Sequence, residues 1–444
     1  MFGIWGHKQA AEITYYGLHA LQHRGQDGAG IVATNGKKLS FHRGRGLVND
    51  IFQRSDFEKL SGHGAIGHVR NLSHDNGSLG NVQPLLFHSL VGSMSLAHHG
   101  YILNAEELRG ELEKTGSIFQ TTTDAEVLAH LMKGINQYPS EETIAKSLNK
   151  LKGSFTFLIL TENKLYAALD PHGSRPLSIG KLGGNYVVAS ETCAFDIIGA
   201  TYEREVNPGE IVTISEEGLS SYQFAQPKER KINAMEYIYY SRPDSNINGI
   251  NVHAARKKTG IELAKEAPVD ADVVTGVPDS SISAAIGYAE QSGLPYEMGV
   301  IKNRYVGRTF IKPSQELREQ GVKIKLAPVR GIVQGKRVVM IDDSIVRGTT
   351  SRRIVNMIRD AGAKEVHVRI AAPPMKFECQ YGAKQEELIA AYKSIDEICE
   401  LIGADSLAFL SVEGLEKAIV GKNTFDRGIS TQCFTGESLF EEKL

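Results

Sequence analysis

The sequence predicts two domains of different class, an α+β sandwich with antiparallel sheets over residues 1–228 and an α/β domain with a parallel sheet over residues 229–444. Three observations carry this reading. The chain has 444 residues, more than a single hydrophobic core ordinarily serves. Its first half is a succession of short β-prone runs separated by Gly-rich turns, and its second half alternates apolar strand runs with helical patterns. Between them, residues 216–234 are polar and carry Gly, Pro and the cluster Lys228-Glu229-Arg230-Lys231, which is the composition of a linker.

Taken in order, strands are expected at 2–5, 29–33, 64–69, 95–98, 155–160, 165–169 and 186–190. A helix is expected over 10–22, ending at His23-Arg24-Gly25, and another over 124–133 with Thr122 or Thr123 near its cap. In the second half, helices are expected at 252–266, 282–292 and 350–361. They are interleaved with strands at 271–276, 296–301, 337–341 and 365–370. That alternation indicates βαβ units and a doubly wound sheet, followed by a C-terminal helical segment. The loop Pro278-Asp279-Ser280-Ser281 would offer oxygens and N–H groups to an anion or its metal; read blandly, Asp279 or Ser280 caps the helix that starts at 282.

Composition narrows the function classes. Hydrophobic residues make up 41% and charged residues 23%, values of a soluble globular enzyme. A net charge of −2 gives no general attraction to nucleic acid or membranes, and no apolar run is long enough for a membrane span. The opening Met-Phe-Gly-Ile-Trp-Gly-His lacks the basic and apolar regions of a secretory signal. The four cysteines, Cys193, Cys379, Cys399 and Cys433, show no C-x-x-C spacing and read as reduced thiols of a cytoplasmic protein.

The most informative stretch is Val338-Val339-Met340-Ile341-Asp342-Asp343-Ser344-Ile345-Val346-Arg347-Gly348-Thr349-Thr350-Ser351. An apolar strand runs into two adjacent acids, a polar loop and a helix start. Free N–H groups at a helix start seat a phosphate. Paired acids at the C-terminal end of a parallel strand lie where ligands bind in open α/β sheets, and they can hold ribose hydroxyls directly or through Mg2+. Read blandly, the same stretch is an ordinary βα turn with a solvated acidic cap.

This stretch resembles the phosphoribosyl pyrophosphate (PRPP) loop of type I phosphoribosyltransferases. The resemblance places the 5-phosphate on residues 347–351, namely Arg347, Gly348, Thr349, Thr350 and Ser351, with Ser344 in the same loop. It puts the ribose on Asp342 and Asp343, and associates Ser280, Asp342 and Asp343 with Mg2+. Lys302-Asn303-Arg304-Tyr305, continuing to Ile311, is similar to that family's closing loop. Lys302, Arg304 and Tyr305 would then help to neutralise pyrophosphate and exclude water from C1.

In the first half, Gln22-His23-Arg24-Gly25-Gln26-Asp27-Gly28, Gly67-His68-Val69-Arg70, Asn81-Val82-Gln83-Pro84, Thr123-Asp124-Ala125-Glu126, Asp170 to Leu177 and Ala189 to Ala194 resemble the glutaminase domain of glutamine PRPP amidotransferases. That resemblance implies a four-layer N-terminal-nucleophile sandwich. Arg70 would hold the glutamine α-carboxylate and Asp124 its α-amino group, a guanidinium fork for an anion and an acid for an ammonium. It also implies PRPP, ammonia or another small amine as reactants, purine nucleotides as inhibitors, and a homo-oligomer.

The chain also departs from that pattern. The family nucleophile is a Cys two residues before the position of Met1. A start read from an internal Val codon, or real loss of glutamine hydrolysis, would each explain its absence. His99-Gly100 stands where the family has Asn-Gly for the oxyanion, and Arg70-Asn71-Leu72-Ser73-His74 replaces Arg-Tyr followed by a small residue and Thr. These changes favour loss, with ammonia coming from solution or a partner. An unaltered glutamine-dependent enzyme and a non-catalytic nucleotide-binding paralogue are the alternatives. Of the ligands to a family iron–sulfur cluster, Asn233 replaces one Cys and Cys379 alone remains, so no cluster is expected. Cys379 and Cys433 then read as plain thiols.

Overall fold

The computed structural model describes residues 1–71, 78–90, 92–133, 139–303, 325–378, 385–421 and 428–440. The first half contains two antiparallel sheets. One has β1 (Phe2–Trp5), β2 (Gly28–Thr34), β3 (Leu39–Arg45), β4 (Gly64–Arg70), β9 (Ser178–Leu182), β10 (Asn185–Ala189) and β11 (Thr201–Glu205), in the order β11-β9-β10-β1-β4-β2-β3. The other has β5 (Leu85–Ser89), β6 (Gly92–Ile102), β7 (Gly153–Thr161), β8 (Leu165–Leu169), β12 (Glu210–Ser215) and β13 (Gly218–Gln223), in the order β13-β12-β8-β7-β6-β5.

Three apolar layers explain why the sheets stack. Ile66, Leu158, Leu165, Val188 and Val212 fill the space between the sheets. Phe2, Ile4, Ile31 and Val187 face outward onto Leu18 of helix Ala10–Ala20 and Phe195 of helix Cys193–Ile198. Phe155, Phe157 and Ile159 face the opposite way, onto Leu128 of helix Ala125–Lys133 and Ile144 of helix Glu141–Leu148. Strands buried on both faces lose the alternation of a half-exposed sheet and read as continuous apolar runs. The 155–160 run is the clearest example, because all nine residues of β7 are buried.

The second half holds a parallel sheet in the order β17 (Val273–Gly276), β20 (Arg337–Asp342), β21 (Glu365–Ile370), β22 (Ser406–Phe409). Helix Thr349–Asp360 buries Ile354, Val355 and Ile358, the i, i+1, i+4 pattern of a helix lying on a sheet. Helices Val252–Glu266 and Ile282–Ser292 cross where both have glycine. A Cβ on Gly260 would meet the Ala284 carbonyl oxygen at 1.8 Å, and one on Gly287 would meet that of Lys257 at 1.9 Å. The linker enters through β14 (Ile232–Asn233), which pairs in parallel with β23 (Ile429–Ser430), and β15 (Asn246–Ile247) and β16 (Ile250–Asn251) form a short antiparallel hairpin beyond it. A wide turn then covers Glu236–Tyr240, closed by the Ser241 N–H donating to the Glu236 carbonyl at 3.1 Å.

Three expectations need correction. Residues 296–301 add no strand to the parallel sheet. Tyr296 makes an isolated bridge to Val274, and β18 (Val300–Lys302) pairs in an antiparallel sense with β19 (Leu326–Pro328) away from it. The run reads as a strand because it is largely apolar, but Met298 and Ile301 are exposed and only Gly299 and Val300 are buried. The cap of helix Ile282–Ser292 is Ser281, not Asp279 or Ser280. Cys433 is buried and disulfide-bonded rather than a plain thiol; Cys379 lies outside the described residues. Asn233, at the position of a family cluster ligand, is buried and accepts the Met235 N–H at 2.9 Å, closing the turn before Glu236. Among the described residues no helix is long and apolar enough to cross a membrane.

Two candidate active sites

In the second half, the loops after β17 and β20 lie side by side, tied by the Val277 N–H donating to the Ile341 carbonyl at 2.9 Å. Adjacent parallel strands bring these two loops to the same edge. Ser281 Oγ donates to Asp342 Oδ1 at 3.0 Å, Ser344 Oγ to Asp343 Oδ1 at 2.9 Å, and the Asp343 N–H to Asp342 Oδ1 at 2.9 Å. Ser280 adds a side-chain hydrogen bond to Asp343. Both carboxyls are buried. Burial and the Asp343 charge push Asp342 well above the usual carboxylate range, and burial raises Asp343. Arg256 lies beside Asp343 but is engaged, donating to the Tyr237 and Ser241 carbonyls at 2.6 and 2.8 Å.

Two buried carboxylates of like charge, ringed by hydroxyls, suit a cation or sugar hydroxyls that complete them. Gly348 precedes helix Thr349–Asp360 in the left-handed region at φ +73° and supplies no side-chain cap. The first-turn N–H groups are therefore left for an anion. Thr349 and Thr350 are exposed and Ser351 is buried beneath them. Arg347 is exposed and ion-paired with Glu387. Lys302 Nζ pairs with Asp279 Oδ2 at 2.8 Å. Arg304 and Tyr305 fall outside the described residues. Sequence reasoning passed over Ser281 as a partner of Asp342; its place in a Ser-Ser pair after a strand was the available signal.

In the first half, the second site gathers around the start of β1. Phe2 pairs with Gly67, so the register sets Met1 opposite His68. The Met1 carbonyl accepts the Ser190 N–H at 3.0 Å, and its amine donates to Ser190 Oγ at 3.0 Å. Burial, then the Arg24 charge, lowers an amine at this spot to about 5, so a base here is unprotonated at neutral pH. His99 is close by. Burial, then the charges of Arg175 and Arg24, hold it well below its usual range and thus neutral. Its neighbour Gly100 has φ +144°, and a Cβ there would meet the Ser154 carbonyl oxygen at 2.0 Å. Asp124 accepts the Ile102 N–H at 3.0 Å and faces His98 Nδ1 at 3.3 Å. Burial opposes its ionisation, but His98, that N–H and Arg70 outweigh burial and bring it to about 2. Arg70, His99, Gly100 and Asp124 thus come together at this end of the sandwich.

Sequence reasoning gave no role to the charged cluster behind them. Glu191 accepts from Arg24 Nε, from His23 Nε2 at 2.6 Å, from the Arg242 N–H at 2.9 Å and from Ser245 Oγ at 2.7 Å. Burial opposes its charge, but Arg24 and His23 outweigh it and hold Glu191 below the usual range. Its partners are up to 168 residues away, and a sequence does not pair residues across that distance. The charges themselves, set in the Gln22-to-Gly28 and Ala189-to-Ala194 motifs, were the available signal. Cys193 Sγ lies 3.7 Å from Glu191 Oε2, and burial with that carboxylate raises the thiol to about 12. It is the opposite of an activated nucleophile.

Known proteins resemble this chain over nearly its whole length. A glutamine amidotransferase domain model matches residues 69–196. The amidophosphoribosyltransferase of Bacillus subtilis (strain 168) is 61% identical over 442 residues, covering 98% of this chain and 93% of the relative. The chain belongs to the amidophosphoribosyltransferase family. The enzyme of the same name from Staphylococcus aureus (strain COL) is 50% identical over 443 residues, covering 98% of this chain and 90% of that one. Among solved structures, B. subtilis glutamine PRPP amidotransferase complexed with ADP and GMP superposes with a TM-score of 0.93 at 60% identity, over 99% of this chain and 97% of that one. A structure described as the allosteric regulatory enzyme of purine biosynthesis gives 0.94 at 60% identity, over 99% and 96%. The two-domain architecture and membership of a phosphoribosyl-transferring enzyme family follow from these matches.

Proposed function

We propose that the chain transfers the phosphoribosyl group of PRPP to ammonia, giving 5-phosphoribosylamine and pyrophosphate, and that the ammonia comes from glutamine hydrolysed in the N-terminal half. The observation that carries this is the joint presence of an acid pair at a phosphate-binding helix start and of Arg70 with Asp124 at a second buried site. In this reading the first-turn N–H groups at 349–351 hold the 5-phosphate and Asp342 and Asp343 orient the ribose. Lys302, with Arg304 and Tyr305, closes over pyrophosphate. Asp342, Asp343 and Ser280 fit Mg2+, which when bound offsets charge on the leaving pyrophosphate. Catalysis at C1 then rests on orientation and water exclusion, not on a side-chain nucleophile. Arg70 and Asp124 hold the two ends of the glutamine α-amino acid group. The family pattern supplies the thiol for its hydrolysis from an N-terminal Cys, and Cys193, held protonated by burial and Glu191, does not take that role. The nucleotides bound in the B. subtilis structure suggest purine nucleotides as ligands here too, in a cytoplasmic homo-oligomer.

His99 favours a second reading, in which the transferase uses free or partner-supplied ammonia. A neutral imidazole replaces the amide at the oxyanion position, and loss of an aimed donor costs about a hundredfold or more. The test is pyrophosphate release from PRPP and Mg2+ with glutamine or ammonium in turn. Release with both supports the first reading. Release with ammonium alone supports the second. Release with neither leaves only a nucleotide-binding role.

A further inference from the structure

Arg24 lies in the glutaminase half, yet part of its hydrogen bonding comes from the other half of the chain. Its Nε donates to Glu191, while Nη2 donates to Glu236 Oε2 at 2.6 Å and to Ser241 Oγ at 3.1 Å. Glu236 is fully buried and also accepts from Arg175 Nη1 at 3.0 Å and Ser241 Oγ at 2.8 Å. Arg24 and Arg175 thus face Glu191 and Glu236 in a charge-balanced cluster. A guanidinium is a rigid plane, so gripping two of its edges fixes its orientation. The Arg24 acceptor Glu191 follows Ser190, which bonds the amine and carbonyl of Met1 at 3.0 Å at the start of β1, where the glutamine chemistry is placed.

A purely structural tie between the halves would not need this charge. Neutral hydrogen bonds already join them: the Asn233 N–H to the Ser174 carbonyl at 3.2 Å, the Lys231 N–H to the His172 carbonyl at 2.9 Å, and the Asn246 N–H to Thr192 Oγ1 at 2.9 Å. A buried ion pair adds little net stability over such contacts. What Glu236 adds is orientation and charge at Arg24.

We propose that Glu236, supplied by the transferase half, is a positioning residue of the glutamine site: it fixes the plane of the Arg24 guanidinium against the start of β1 and offsets its charge there. The proposal rests on the reading that the N-terminal half hydrolyses glutamine. It implies that the N-terminal half carries an incomplete site without residues 236–241.

Glu236→Gln keeps the shape and removes the charge, and Glu236→Asp keeps the charge. In the full chain, Glu236→Gln is expected to lower kcat for glutamate formation by about tenfold or more, with the KM for glutamine changed by less than about threefold. The acidic limb of its kcat profile moves to lower pH, because an unbalanced buried cation disfavours protonation nearby. Glu236→Asp restores much of kcat. A folded Glu236→Gln protein with the parental kcat and pH limb overturns the proposal, as does equal loss in both variants in step with a lower Tm. If the parent uses ammonium but forms no glutamate, the functional reading fails and a second measurement decides. Solvent exchange of the Arg24 Nη2–H, followed by nitrogen-15 NMR, should be about tenfold faster or more in Glu236→Gln, since opening of its hydrogen bond to residue 236 sets the rate; unchanged exchange overturns the proposal.

Discussion

The candidate transferase site takes its acids from adjacent positions at the end of β20, Asp342 and Asp343, and leaves them bearing on each other. The glutaminase site draws Arg24, Arg175, Glu191 and Glu236 from separate segments and pairs opposite charges. On the proposed reading, the difference follows from what each site handles: a loop that takes up PRPP with a cation keeps like charges that the ligand completes. On the same reading the Arg24 cluster lies behind the glutamine site and meets no ligand charge, so its buried charges are balanced from within the protein.

Breaking the balanced cluster should have the largest effect. Glu191→Ala leaves Arg24 short of a buried counter-charge, and unfolding free energy by denaturant titration should fall by about 3–5 kcal/mol. Asp343→Asn breaks the other arrangement. Pyrophosphate release should fall by about a hundredfold or more, roughly 2.7 kcal/mol, in a protein whose apo Tm is not lowered because like-charge repulsion is relieved. Gly100→Ala sharpens the comparison within the glutaminase site. Its methyl group would drive β6 off β7, costing about 2 kcal/mol in stability together with glutamate formation but sparing transfer from ammonium. His99→Asn has the smallest effect. The buried His99 is neutral in the fold and protonates at its ordinary pKa when unfolded. It therefore contributes stability above about pH 6.5 that is lost as pH falls, at about 1.4 kcal/mol per pH unit. The variant should show a shallower loss below pH 6.5, and glutamate formation should rise if the amide supplies a better oxyanion donor.

The same contrast explains how much the sequence disclosed. The transferase loop was legible because strand, acids and helix start are contiguous, and β20, β21 and the helices at 252–266 and 282–292 fall where the pattern puts them. Tyr296 to Ile301 was misread because an apolar run does not say which surface it covers. Arg70, Asp124 and His99 were found through motif resemblance. The Arg24–Glu236 pair, 212 residues apart, depends on how two domains meet, and no local pattern encodes that. Ser281 went unassigned because either of two adjacent serines could have faced the acids.

The most direct test of the account is the ratio of products from the parent protein. With PRPP, Mg2+ and glutamine, glutamate and pyrophosphate should appear one for one, and ammonium should replace glutamine as the amine source. Pyrophosphate release that needs ammonium and never yields glutamate would contradict a working glutamine site, and absence of pyrophosphate with either amine would contradict the transferase assignment itself.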